Sequence, residues 1–169
     1  MIIQFSFIIP VYNRPQEIKE LLESFKQVRT SETFEIVIIE DGSTLSSSEI
    51  VTSFKDDLTI AYYQKTNTGP GDSRNFGMRL AKGNYFIILD SDVLMPPDYL
   101  ETVTKFLATR FVDCFGGSDT AHDSFTPLQK AINYTMTSFL TIGGIRGNTR
   151  RVQQFVPRRF NMCISTEAF

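Results

Sequence analysis

The sequence predicts an α/β fold, a mostly parallel sheet flanked by helices. Three observations lead there. Apolar runs of strand length alternate with segments whose apolar residues recur at helical spacing, the rhythm of strand, helix, strand, helix. One run, Asn84-Tyr85-Phe86-Ile87-Ile88-Leu89, is hydrophobic on both alternating faces, which suits a strand covered on both sides in the middle of a parallel sheet. Polar clusters follow the predicted strand ends, the edge at which open α/β sheets bind ligands.

Taken in order, Phe5 to Tyr12 is the first strand, and Asn13-Arg14-Pro15 supplies a cap residue and a proline suited to a first helical turn. Ile18, Leu21, Leu22 and Phe25 then fall on one helical face. Glu35 to Glu40 is a second buried strand, stopping at Asp41-Gly42-Ser43, and the polar segment Ser46 to Glu49 starts a second helix. Thr59 to Tyr63 reads as the third strand. The loop Asn67-Thr68-Gly69-Pro70-Gly71-Asp72 opens a helix through Ser73-Arg74-Asn75 to Lys82, with Gly83 as its stop. The fourth strand ends in Asp90-Ser91-Asp92; a helix from Pro97 to Thr109 and a fifth strand over Val112 to Gly116 follow.

Composition bounds the function. At 169 residues and 41% hydrophobic, the chain is sized for one compact domain with a filled core. A net charge of -2 gives no reason to expect a nucleic-acid partner. Cys114 and Cys163 lie in apolar settings far apart and read as buried thiols of a reducing compartment, with no disulfide framework or zinc cluster. The run from Ile2 to Tyr12 lacks a basic leader and a cleavage site and is interrupted by Pro10, so it reads as a strand, neither signal peptide nor membrane span. The location expected is cytoplasmic, with the inner face of the membrane as a variant.

The strand-end clusters carry the chemistry. Tyr12 offers a flat face for stacking a base, and Asp41 an acceptor for a ring N–H; singly, either is as well read as a core aromatic or a helix cap. Gly69 and Gly71 permit a tight backbone path near a ligand, or a plain turn, and Arg74 carries a permanent charge suited to a diphosphate or a base carbonyl, or to solvent. Asp90 and Asp92 repel each other, a cost that makes sense if a divalent cation or ligand hydroxyls fill the gap between them; the plainer reading makes them caps of the next helix.

Phe7 to Arg14, Ile39 to Ser43, Asn67-Thr68-Gly69 through Ser73-Arg74-Asn75, and Leu89 to Asp92 together resemble the successive motifs of the family 2 inverting glycosyltransferases with the GT-A fold. The likeness covers about residues 5 to 115, with a weaker echo at Phe160 to Phe169. It implies transfer of a sugar from a nucleoside diphosphate donor, often a uridine diphosphate sugar, to an acceptor hydroxyl with inversion. It implies a nucleotide-binding set of Pro10, Tyr12, Asn13, Arg14, Asp41, Asn67, Gly69, Arg74, Asp90 and Ser91, with Tyr12 and Asp41 at the base, Arg74 at the base or phosphates and Asp90 at the ribose. Asp92, with Asp90 beside it, would hold Mn or Mg. Residues 1–117 then form the nucleotide-sugar half and 118–169 an incomplete start of the acceptor side, for a carbohydrate or lipid-linked acceptor.

The family's general base usually lies further on than the echo, so it is expected beyond Phe169, and Ser165 to Phe169 reads as the first turn of an uncompleted helix in a truncated chain. Asp119, His122 and Asp123 could assist an acceptor or metal, but a lone histidine in a polar loop is more often solvated. Gln129 to Ile142 carries Ala131, Ile132, Met136, Phe139 and Leu140 at near-helical spacing, followed by Arg146, Arg150, Arg151, Arg158 and Arg159. A peripheral membrane contact is one reading; without an aromatic anchor set, packing against protein is the stronger one. A binding module without transfer activity and a nucleotidyltransferase are the alternatives. The second wants a glycine-rich basic loop after strand one, and Tyr12-Asn13-Arg14-Pro15 is not that loop. A dehydrogenase is disfavoured because no Gly-x-Gly-x-x-Gly follows that strand.

Overall fold

The computed structural model describes residues 4–116, 126–137 and 162–169. Its elements run β1 (Phe5–Val11), α1 (Pro15–Phe25), β2 (Phe34–Asp41), α2 (Ser48–Ser53), β3 (Ile60–Lys65), α3 (Pro70–Leu80), β4 (Tyr85–Ile88), α4 (Tyr99–Thr109), β5 (Cys114–Gly116), α5 (Pro127–Thr137) and β6 (Met162–Ser165). The sheet order is β3-β2-β1-β4-β6-β5. Strands β1 to β4 pair in parallel, and β6 runs antiparallel to both β4 and β5, so the expected mostly parallel sheet is the one observed.

Strand β1 is central because both of its faces find cover. Phe7 and Ile9 point into a core built with Ile18, Leu21, Leu22 and Phe25 of α1, Val51 of α2, and Leu100 and Val103 of α4. Ile8 points the other way, into a core with Val37, Ile39, Phe86, Ile88 and Met78 of α3. A strand flanked on both sides has no polar face to show, which is why β1, β2 and β4 read as continuous apolar runs. Helix α3 sits close on its face: a Cβ at Gly77 would lie 2.5 Å from Ile39 Cδ1 and 2.8 Å from Ile8 Cγ2. This close approach sets the height of α3, and with it Arg74, above the strand ends.

Some expectations need correction. The segment Ser165 to Phe169 does not begin a helix: Met162–Ser165 forms β6, wedged between β4 and β5, and Ala168 N then closes a turn on Ser165 O. A four-residue apolar run is too short to declare its period, and the free edge of β4 decides it. Strand β6 comes from the segment assigned to the acceptor side and lies in the same sheet as β1 to β5. Helix α4 starts at Tyr99, with Asp98 as its flanking residue, so Asp90 and Asp92 do not cap it. Helix α3 starts earlier than Ser73, at Pro70, and β3 runs on to Lys65. The described part of the segment from Gln129 is helical, as α5; Asp119, His122, Asp123, the arginines from 146 to 159 and the end of that apolar segment lie outside the described residues. Cys163 is buried and Cys114 half-buried, both free, and burial pushes the Cys163 thiol up to about 12.

Candidate active site

The carboxyl ends of β1, β2 and β4, with the loop that leads into α3, surround a cavity of about 420 Å³. Strand β1 brings Pro10 and Val11, followed by Tyr12 and Arg14; β2 ends on Asp41. The loop before α3 adds Asn67 and Gly69, α3 itself Arg74, and the turn after β4 Asp90, Ser91 and Asp92. Of the residues predicted for the site, all but Asn13 line this cavity.

Asp41, the last residue of β2, is buried, its carboxylate almost fully engaged. Oδ1 accepts from Lys65 Nζ at 2.5 Å and from Thr68 N at 3.0 Å, and Oδ2 accepts from Gly69 N at 2.9 Å. Asp41 thus anchors the loop that starts α3 while lining the cavity; it does not cap α2, whose flanking residue is Ser47. Burial works against its charge, but Lys65, the Thr68 amide and Ser73 outweigh that and hold its carboxyl below the usual range. The loop closes because Gly42 has φ 71° and lies so near Asn67 that an added Cβ would be 2.6 Å from Asn67 N; only glycine tolerates both. Asn67 Nδ2 in turn donates to the Asp41 carbonyl at 2.9 Å.

Asn13 serves as a frame. With φ 55°, it turns its side chain onto the β2–α2 loop, where Oδ1 accepts from Thr44 N at 2.8 Å and Leu45 N at 2.9 Å, while its own N–H donates to Ser43 Oγ at 2.8 Å. Buried Glu40 holds the same loop from behind, accepting from Ser43 Oγ, from Ser47 N at 2.9 Å and from Tyr62 Oη at 2.9 Å. These bonds steady the chain leaving β1, so Tyr12 stands at the mouth, 52% exposed, with its ring free to stack.

From α3, Arg74 Nη2 donates to Asp90 Oδ1 at 2.7 Å, and Arg74 Nε is buried without a partner. An orphan donor of a permanent cation beside a cavity suits an anionic or carbonyl oxygen of a ligand. Asp92 lies at the rim, its side chain 55% exposed, with Oδ2 3.3 Å from Arg14 Nη1. Mg and Mn are commonly held by one or two carboxylates, with phosphate oxygens and waters completing the shell. The pair Asp90 and Asp92 fits that donor set. Among the described residues no group of three or more His, Cys, Asp or Glu could hold a metal by itself.

Sequence reasoning missed Lys65, Pro70, Val11 and Glu40. The signal for Lys65 was its place at the carboxyl end of a parallel strand, in register with Asp41. Glu167 lies elsewhere: it lines a second cavity, of about 210 Å³, with Gln4 and Asn84, where β1 and β4 begin. Among the described residues no helix is long and apolar enough to cross a membrane.

Three comparisons bear on this site. The model of the glycosyl transferase family 2 matches residues 6–168. An uncharacterised glycosyltransferase of Rickettsia felis is 45% identical over 102 residues, which are 60% of this chain and 17% of that protein. The poly(ribitol-phosphate) beta-N-acetylglucosaminyltransferase TarS of Staphylococcus aureus is 36% identical over 113 residues, 65% of this chain and 19% of that one. The crystal structure of TarS 1-349 in complex with UDP-GlcNAc matches with a TM-score of 0.67 at 29% identity, covering 73% of this chain and 36% of that chain. The stretches matched in sequence are thus less than a fifth of either relative's length.

Proposed function

Since the chain belongs to glycosyl transferase family 2, we propose that the cavity at the strand ends binds the nucleoside diphosphate part of a sugar donor, with a uridine diphosphate sugar as the donor class. The observation that carries this reading is the polar lining of one cavity, which combines a buried carboxylate, Asp41, at the end of β2 with Arg74 of α3 and with Asp90 and Asp92 after β4. The uracil ring stacks on Tyr12 with its ring N–H toward Asp41 Oδ2, which retains unused acceptor capacity. Arg74 Nε takes a base carbonyl or phosphate oxygen, and Asp90, steadied by Arg74, receives the ribose. A UDP-GlcNAc complex of the relative TarS supports a uridine donor here.

Asp92, with Asp90, would hold Mg or Mn; a bound cation would neutralise the charge that grows on the departing diphosphate. Arg14, 3.3 Å from Asp92, then turns toward the phosphates. Inversion requires a base on the face opposite the leaving group to take the acceptor proton. The three carboxylates of the cavity, Asp41, Asp90 and Asp92, are all used on the donor side, and Glu167 belongs to the opposite edge of the sheet. We therefore assign the base to a part of the protein outside the described residues. The acceptor is a carbohydrate or lipid-linked hydroxyl.

The test is titration of UDP, GDP and ADP into the chain with Mn and with chelator, followed by release of UDP from UDP-sugars with and without a pool of acceptors. Selective binding of UDP with acceptor-stimulated release supports transfer. Binding without any release, in a chain extended to the length of the relatives, supports a binding module, and absence of nucleotide binding overturns the reading.

A further inference from the structure

Lys65 is spent entirely inside the protein. Its ammonium donates to Asp41 Oδ1 at 2.5 Å, to the Thr66 carbonyl at 3.0 Å and to Thr68 Oγ1, and stands 3.4 Å from Asp72 Oδ2. Three N–H donors thus meet three acceptors, and the side chain is only 12% exposed. Lys65 does not line the cavity; whatever it does for a ligand, it does through Asp41.

Asp41 is left in a narrow condition. Three of its roughly four acceptor positions are filled by Lys65 Nζ, Thr68 N and Gly69 N, and the nearby Ser73 hydroxyl donates to the Gly69 carbonyl at 3.1 Å, so the spare position is on Oδ2. A protonated Asp41 would carry a donor and could satisfy a bare ring nitrogen, whereas an ionised one can only accept. Lys65 of β3 is the charged group paired with it and also faces Asp72 of α3; the other charges of the cavity are paired elsewhere, Arg74 with Asp90 and Arg14 with Asp92, and neighbouring Glu40 is bonded to Ser43, Ser47 and Tyr62. Lys65 is the cation in contact with the Asp41 carboxylate.

We propose that Lys65 is the positioning residue behind base selectivity in this cavity. It holds Asp41 as a carboxylate with one free acceptor position, so that a base with a ring N–H, such as uracil, is taken and one with a bare ring nitrogen at the same place, such as cytosine, is refused. This rests on the donor reading above. It adds that selectivity is set by a residue that never touches the nucleotide, and that it depends on pH once that residue's charge is gone. The depressed ionisation of Asp41 and the raised one of Lys65 agree with it.

The experiment is calorimetric titration of UDP and CDP between about pH 5.5 and about pH 8 into the wild type, Lys65→Met, Lys65→Gln and Asp72→Asn, each checked by circular dichroism. For the wild type and Asp72→Asn the preference for UDP should stay level across this range. In both Lys65 variants it should fall toward acid, by about tenfold for each unit by which the Asp41 ionisation has moved into the range. A merely structural role would weaken both nucleotides together at every pH. Should the Lys65 variants fail to fold, the carboxyl carbon of Asp41 in the wild type gives a separate reading by nuclear magnetic resonance. Ionisation well below that of a free aspartate supports the proposal, and an ordinary value overturns it. A wild type that binds neither nucleotide overturns the donor reading and this inference with it; a wild type that prefers UDP beside Lys65 variants with the same level preference overturns this inference alone.

Discussion

Arg74 Nη2 lies 2.7 Å from Asp90 Oδ1, tying α3 to the turn after β4, while Nε of the same guanidinium is buried with no partner. One arm of the fork fixes the side chain, and the proposed donor reading gives the unpartnered Nε to the ligand. Lysine would keep the charge and lose the fork. Arg74→Lys is therefore expected to weaken UDP binding by about 1.5–3 kcal/mol, the worth of a hydrogen bond to a charged group, with little change in thermal midpoint. Unchanged affinity by calorimetry would remove Arg74 from the ligand's contacts.

Asp92 is exposed at the rim and held only loosely by Arg14, at 3.3 Å, so a cation can displace that contact at low cost. Asp92→Asn keeps the shape and removes the charge. Titration of UDP with Mn and with chelator should show a clear gain from Mn in the wild type and most of that gain lost in the variant. Equal affinity under both conditions in the wild type would refute the metal role.

Asn13 combines a left-handed backbone with two amides, Thr44 and Leu45, bonded to one side-chain oxygen. Asn13→Gly loses the bonds and keeps the backbone easy; Asn13→Ala loses both. Alanine should cost more than glycine by about 1–2 kcal/mol, the left-handed penalty, on top of a shared loss of about 0.5–1.5 kcal/mol for each of the solvent-exposed hydrogen bonds. Urea denaturation of both variants checks this order, and equal stabilities would mean that the backbone there relaxes freely.

The Asp41–Lys65 pair gives stability a defined pH dependence. Asp41 has a depressed folded-state ionisation, so its contribution is present above the ordinary carboxylate range and is lost as pH falls through the folded value. Lys65 has a raised one, so its contribution is present below the ordinary lysine value and is lost as pH rises through the folded value. The destabilisation caused by Lys65→Met should be largest above neutrality and shrink as pH falls, from the point where Asp41 of the variant is protonated down through the depressed folded value of the wild type. Denaturant titrations at about pH 7 and about pH 3 measure it; a penalty independent of pH would show that Lys65 acts by packing alone.

Much of this molecule was legible in the chain itself, because its signals are local. The double-sided apolar runs around Ile8, Ile38 and Ile87 declare buried parallel strands, and Pro15 and Gly83 mark where helices start and stop. Parallel strands place their carboxyl ends on one edge, so Tyr12, Asp41 and Asp90 could be brought together on paper, and the cavity they line was foreseeable. What the tertiary structure alone decided are pairings between residues distant in sequence. Lys65 is an unremarked strand-end lysine until the register of β2 with β3 sets it against Asp41. Asn13 reads as a nucleotide residue, and only the approach of the loop after β2 shows that its side-chain oxygen also holds the Thr44 and Leu45 amides. The short run Met162–Ser165 becomes a strand because the edge of β4 has unpaired backbone groups to satisfy, a requirement that no local pattern encodes.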